Sequence, residues 1–585
     1  SSFMLFIGIA IPIIGFSQET TTNTDSISKS QFETVFEKSK GTKTATYEQT
    51  ILYYQNLAKV FPEIKVEKMG TTDSGHPLHL VIFDAKKIFI LKDTIRSKLL
   101  INNGIHPGES DGIDASMQLL RDIAFDKNLK EKYQNILICI IPIYNVGGSL
   151  NRNSNSRVNQ NGPISYGFRG NSLNYDLNRD FIKNDSQNAK SFAKIFHEVN
   201  PIIFVDTHVS NGADYQYTVT QLFTQHNKLS GKISDYLYYK MIPELEEKLT
   251  EKGIINGPYV NVFNKDPKNG FTQFFDSPRY STGYTSLFNT LGLTLETHML
   301  KPYKERVKAT YAILEEVIDF TSTYGRSLNN IRKGSADETL SKKTYPIHWK
   351  IDSTRIKTID FKGFEREIIT SKVTGQQRVK YNREKSYTQE VDFYDHYKPT
   401  KEIVIPNFYI IPKHLTNVIE LLKLNTIKMH PLKKDISILV ESYEIKKYET
   451  VKMPYEGHYL HMNTEVIATH RQQKFEAGDF LISTQQPGIK YIIETLEPEA
   501  KDSFFNWNFF DIILQQKEHF SPYIFEDLAK TILDDNKDLR SKFEQKKAQD
   551  SLFSKNSYEQ LNFIYMNSKY AEKEFLQYPI YRILK

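Results

Sequence analysis

The 585-residue sequence has a single cysteine, Cys139, inside the apolar run Ile136 to Tyr144. No disulfide framework can form within the chain, and the thiol reads as a small buried hydrophobe. After the first few residues no segment approaches the ~18 consecutive apolar residues that a membrane-spanning helix needs. A large excess of charge of either sign is lacking as well. The formal net charge is only +6, and no basic stripe marks any segment, so nucleic acid is not an expected partner. No internal repeat of fixed period occurs.

Aromatic residues are plentiful, mostly Tyr and Phe, and the length implies two or more domains. Phe3 to Phe16 is almost wholly apolar, too short to span a bilayer, and followed by Ser17 and Gln18. This predicts a signal peptide over residues 1–17 and a secreted or periplasmic protein. Residues 18–45 are Thr/Ser/Lys-rich and read as a flexible linker. From residue 46 to 325, strand-like segments alternate with helical ones. Strands are expected at 64–70, 78–82, 98–102, 136–144, 202–206 and 291–295, with helices at 47–61, 113–124, 186–199, 229–253 and 304–323. That alternation predicts an α/β domain, a mixed twisted sheet flanked by helices. Residues 326–345 turn Ser/Asn/Lys-rich and read as a second linker. Residues 346–585 form a β-rich mixed C-terminal domain of no assignable chemistry.

The chemistry gathers at strand ends. Leu99–Glu109 reads LLINNGIHPGE, a strand stopping in a polar turn that presents His106 and Glu109. In open α/β sheets ligands bind at such carboxyl edges. The strand at 202–206 ends in Thr207-His208 and that at 291–295 in Glu296-Thr297-His298. In one sheet, His106, Glu109 and His208 would make a three-ligand zinc site with a position left open. Glu296 would serve as general base. Between these strands the polar stretches NRNSNSRVNQNGP and YDLNRDF carry Arg157, Asn178 and Arg179. Arg179 offers a planar fork for a carboxylate, and Arg157 a charge over a carbonyl oxygen. His298 is expected to be structural.

His106-Pro-Gly-Glu109, Asp176-Leu-Asn178-Arg179-Asp-Phe, Asp206-Thr-His208 and Leu295-Glu296-Thr resemble, in order, the motifs of the M14 (carboxypeptidase A-like) zinc carboxypeptidases. The resemblance covers about residues 47–323, and the HExxH motif of other metalloproteases is absent. It implies that His106, Glu109 and His208 hold one zinc ion. It makes Glu296 the general base and has Asp176 orient His106. Asn178 and Arg179 would hold the substrate's C-terminal carboxylate. Arg157, with Arg152 as substitute, would polarise the scissile carbonyl. A tyrosine closing over the substrate falls at Tyr284, with Tyr280 as alternative. The expected activity is hydrolysis of the C-terminal bond of peptides bearing a free carboxylate, by attack of a zinc-bound water. The rivals are a zinc amidase or endopeptidase of cell-wall peptides and an inert peptide-binding protein.

Overall fold

The computed structural model describes residues 27–263 and 265–584. The signal peptide expected over 1–17, and the start of the linker expected over 18–45, lie outside the described residues. The rest of that linker is ordered. Helix Val35–Lys38 opens with a reciprocal cap between Thr34 and Glu37. Phe36 packs edge-on against Tyr303 at 5.6 Å, and Glu37 pairs with Arg121 at 2.6 Å. Phe32 and Phe36, one turn apart, are too sparse an apolar signal to show as periodicity.

Eight strands build the main sheet. They are β1 (Ile64–Thr71), β2 (Pro77–Phe83), β3 (Ser97–Asn102), β4 (Ile136–Ile141), β5 (Ile203–Ser210), β6 (Val219–Phe223), β7 (Asn256–Pro258) and β8 (Leu291–His298). Their spatial order is β1-β2-β4-β3-β5-β8-β6-β7. The central strands β4, β3, β5 and β8 run parallel, while β2 and β6 join them antiparallel. Every residue of β3, β4 and β5 is buried, as continuous apolar runs require when both faces are covered. The chain leaves β3 toward β4 on one side and β5 on the other. That reversal opens a crevice at the strands' carboxyl ends.

One face of the sheet, with Leu99, Ile101 and Val205, packs on helices α1 (Tyr47–Val60), α2 (Asp111–Phe125) and α4 (Tyr303–Ser341). The opposite face, with Leu100, Cys139 and Phe204, packs on α3 (Gln187–Val199). It shares a single apolar cluster with Tyr409, Ile419, Phe504 and Trp507 of the C-terminal half. The expected linker at 326–345 is instead mostly helix. Helix α4 runs 39 residues, about 58 Å. Gly325, Leu328, Ser335 and Thr339 are buried at helical spacing, a stripe too polar to read as core. The helix expected over 229–253 is broken by a π-turn at Leu237–Met241, just before Pro243. Proline lacks the N–H an uninterrupted helix would use there.

Beyond α4, a long antiparallel ribbon (Lys357–Thr370 with Gln377–Tyr394) pairs with Phe271–Thr272 beside the main sheet. A six-stranded sheet follows. Its order is His430–Pro431, Phe480–Ser483, Phe408–Ile411, Tyr581–Ile583, Ile436–Thr450, His461–Phe475. Residues 346–585 are thus β-rich with helices at the end, as expected, but they share a core with the α/β part. Among the described residues no helix is long and apolar enough to cross a membrane.

Asp114 on α2 is fully buried and accepts a hydrogen bond from the Tyr303 hydroxyl. Burial pushes its carboxyl up to about 7, against about 4 in an unfolded chain. The native state therefore holds a proton that the unfolded state releases, and this group's contribution to stability falls as pH rises from about 4 to about 7. Asp114→Asn is expected to shrink the loss of urea midpoint between about pH 5 and about pH 8. An equal loss in both proteins would remove Asp114 as its source.

Candidate active site

The turn after β3 needs Gly104, whose φ of +66° and 3.2 Å approach to Ile113 leave little room for a side chain. It folds His106 and Glu109 back over the end of β5. There the Glu109 carboxylate accepts the Val209 N–H at 2.8 Å. His208 lies in β5 with Glu296 directly opposite on β8. His106 Nδ1 stands 3.3 Å from Glu109 Oε1, and His208 Nδ1 3.2 Å from Glu109 Oε2.

Each histidine has a carboxylate behind it. His106 Nε2 meets Asp176 at 2.8 Å, and His208 Nε2 lies 2.9 Å from Asp206. Asp206 is itself held by Asn102 at 3.1 Å. With the proton on His106 Nε2, the lone pair is on Nδ1, and that atom is buried with no hydrogen-bond partner. One atom each from His106, Glu109 and His208 lie within 4.8 Å of one another. An orphaned imidazole nitrogen, a second imidazole and a carboxylate, backed by two more carboxylates, fit a divalent metal.

The electrostatics agree. Burial opposes charge on Glu109, but His106 and Arg157 hold it well below the usual carboxylate range. Burial likewise disfavours a charged His208, yet Asp206 and Glu109 make positive charge there strongly favourable. Burial pushes Glu296 up to about 8, with His208 opposing and Glu109 and Asp206 reinforcing.

These groups stand at one end of a cleft of about 500 Å³, lined also by Arg157, Arg169, Asn178, Arg179 and Tyr280. Asn178 and Arg179 follow Asp176, whose carboxylate caps the Asn178 N–H at 2.9 Å. The Arg179 guanidinium lies over the Tyr280 ring, 4.8 Å from its centre. Tyr284, expected to close the cleft, does not reach it. Its side chain is fully buried, and its hydroxyl donates to Asn425 at 2.5 Å and lies 3.2 Å from His197. Asn425 is a buried amide that needs such partners. The alternative, Tyr280, is the one in the cleft.

Arg157 is in the cleft, but its Nη1 is 3.0 Å from Glu109 and its Nε donates to Gln160 at 2.6 Å. Arg152 donates to the Ser165 and Ala45 carbonyls and is structural. So is His298, bonded to the Ala213 carbonyl at 3.0 Å.

Arg169 was not legible as a site residue. It is 45% exposed, reaches Asp176 at 2.9 Å and stands 3.7 Å from Glu109. It was one of several arginines in a polar stretch, and nothing in the sequence set it apart. Asp206 had a usable signal, since residues two apart on a strand share a face. A third unforeseen element comes from the C-terminal half. The loop Tyr455–His458 lies on the segment that carries Asn178 and Arg179. Glu456, at φ +50°, accepts the Asp176 N–H at 2.7 Å. His458 meets Asp185 at 2.6 Å. Burial disfavours charge on the Arg179 guanidinium, and Asp176, with Tyr280 and Tyr455 beside it, restores it.

A parallel-centred sheet with two histidines and a glutamate at its carboxyl edge, and a carboxylate facing them, is an arrangement that can hold a divalent metal with a titratable group beside it. No protein-family model matches the chain. Carboxypeptidase 2 of Trichophyton equinum is 21% identical over 494 residues, spanning 80% of this chain and 84% of that one. Carboxypeptidase 2 of Trichophyton rubrum is 20% identical over 496 residues with the same coverage. Solved structures similar to about half the chain include a metallo-carboxypeptidase from Burkholderia cenocepacia. It is 15% identical, with a TM-score of 0.36, over 48% of this chain and 70% of that one. Carboxypeptidase A from Helicoverpa armigera is 13% identical, with a TM-score of 0.34, over 48% and 73%. Over four-fifths of its length, then, the chain is similar to two fungal carboxypeptidases.

Proposed function

We propose that the protein is a secreted or periplasmic zinc metallocarboxypeptidase that removes single residues from peptides with a free C-terminal carboxylate. One juxtaposition supports this reading above the others. The His106–Glu109–His208 set and Glu296 stand at one end of a cleft whose lining also includes Asn178 and Arg179. Zinc held by the three ligands would supply Lewis acidity, acidifying water and polarising a carbonyl. Glu296 takes a proton from the attacking water and hands it to the leaving amine. Arg179 and Asn178 grip the terminal carboxylate and so set which bond is presented. Arg169, half-exposed where Arg157 is engaged with Glu109 and Gln160, takes the position over the carbonyl oxygen. Asp176 and Asp206 fix the tautomers of the two histidines.

Mass spectrometry of a mixed peptide pool tests the reading. Stepwise loss of single C-terminal residues is expected, abolished by a zinc chelator and absent from C-terminally amidated peptides. Cleavage of amidated peptides would replace it with an amidase or endopeptidase.

The loop from the C-terminal half gives a separable prediction. Tyr455→Phe removes a polar group from beside the Arg179 guanidinium and touches neither the metal ligands nor Glu296. It is expected to raise KM by about threefold, the scale of a favourable dipole beside a partly screened charge, with kcat nearly unchanged. A fall in kcat at constant KM would contradict this assignment.

A further inference from the structure

A second cavity, of about 940 Å³, lies behind one wall of the catalytic cleft. The segment 274–283 separates the two. Asp276, Tyr280 and Thr282 line the cleft, whereas Phe275, Ser277 and Gly283 line the cavity. Its far side is built by strand Thr344–Ile351 and helix α5 (Ile489–Leu496).

The lining is cationic. Lys228, Lys342, Lys343, Lys398, Lys490 and Lys501 face it, against the carboxylates of Glu402 and Glu494, and no arginine does. Three of the lysines are paired: Lys228 with Asp276 at 2.7 Å, Lys398 with Asp352 at 3.0 Å and Lys342 with Glu338 at 3.8 Å.

Lys490 is different. It is 3% exposed, and its ammonium donates only to the neutral oxygens of Asn289 at 2.7 Å and the Lys228 carbonyl at 3.4 Å. Glu494, one turn along α5, is itself engaged by the Tyr345 hydroxyl at 3.0 Å. An ammonium buried with neutral acceptors alone is costly unless an anion joins it. Burial, reinforced by Lys342 and Lys228, holds its amine down at about 7. One wall is aromatic: the Phe275 ring lies 4.9 Å from Tyr397 and 6.3 Å from Trp349. The volume falls in the usual range for small-molecule sites. Lysines act as point charges that suit phosphate, whereas planar carboxylate recognition favours the arginine fork.

We propose that this cavity binds a small phosphorylated molecule with a planar ring, Lys490 meeting the phosphate and the Phe275–Trp349–Tyr397 wall taking the ring. The site does not depend on the peptidase reading. It has a path to the cleft, however. Lys228 lines the cavity, and its partner Asp276 lines the cleft, where it also accepts from Thr282 at 2.8 Å.

The chain has two tryptophans. Trp507 is fully buried, and Trp349 lines the cavity. Titrating the full-length protein with adenosine monophosphate should change Trp349 fluorescence saturably, with a Kd below about a millimolar. Adenosine and inorganic phosphate, each carrying half of the recognition, should bind at least about tenfold more weakly. Lys490→Met should weaken adenosine monophosphate by about tenfold or more with the melting temperature maintained. Lys343→Met, at the exposed rim, should weaken it less and guards against a Lys490 variant that fails to fold. Absence of saturable binding, or equal affinity in both variants and the wild type, would overturn the proposal. Inorganic phosphate binding as tightly as the nucleotide would overturn the ring's part in it.

Discussion

Glu296→Gln should lower kcat by about 10²–10⁴, the usual contribution of a positioned general base, while metal content and melting temperature stay at wild-type values. Glutamine keeps the shape of the side chain and loses only its capacity to take a proton. Glu296 is not one of the three clustered ligands, so metal should remain. Its place opposite His208 in the β5–β8 ladder fixes the carboxylate beside the metal site without any contribution from a loop. The informative comparison is with His106→Ala, which should lose metal and activity together. A Glu296→Gln enzyme within tenfold of wild type would end the general-base assignment and direct attention to water activated without it.

Truncation after residue 343 should abolish soluble, folded protein altogether. The C-terminal half does not sit beside the α/β part as a detachable module. The sheet face bearing Leu100, Cys139 and Phe204 shares one apolar cluster with Tyr409, Ile419, Phe504 and Trp507. Polar ties cross the same boundary. Arg279 is held by Asp502 through its N–H, Nε and Nη2, at 3.0, 2.8 and 2.6 Å. Removing Asp502 alone would strand a largely buried guanidinium, a loss of about 3–5 kcal/mol, comparable to much of a domain's net stability of about 5–15 kcal/mol. Asn425, Tyr491, Tyr284 and His197 form a further buried network that the cut would leave half-satisfied. Near-ultraviolet circular dichroism and soluble yield check the prediction. A truncated protein that is soluble and fully active would restore the view of residues 346–585 as an accessory.

The central strands were legible because parallel strands buried on both faces must be unbroken apolar runs, and this chain has four of them. The clustering of His106, Glu109 and His208 was legible for the same reason: a motif at the end of such a run has little choice of where to point. What escaped notice was polar. The ribbon strand Gln377–Tyr394 is mostly charged and exposed along its length, so its alternation has no apolar face to display. The last turns of α4 bury serine, threonine and glycine and therefore resemble a linker. Tyr280 and Tyr284 are both aromatic and four residues apart. Only the three-dimensional partners, Arg179 for one and Asn425 for the other, tell them apart. The bond from the Asp176 N–H to Glu456 joins residues 280 positions apart, a distance that no local pattern spans.

The strand Tyr581–Ile583 lies between Phe408–Ile411 and Ile436–Thr450 in the interior of the second sheet, and Arg582 forms a buried ion pair with Glu441. Since the loop that braces Asp176 hangs between two strands of that sheet, a ribosome would have to deliver residue 583 before the sheet, and with it the Asp176–Arg179 wall of the cleft, could be finished. The metal-ligand motifs emerge several hundred residues earlier. On the reading proposed above this separation in time is protective: the blade is made early, and the handle that lets it grip is fitted only after residue 583 has emerged.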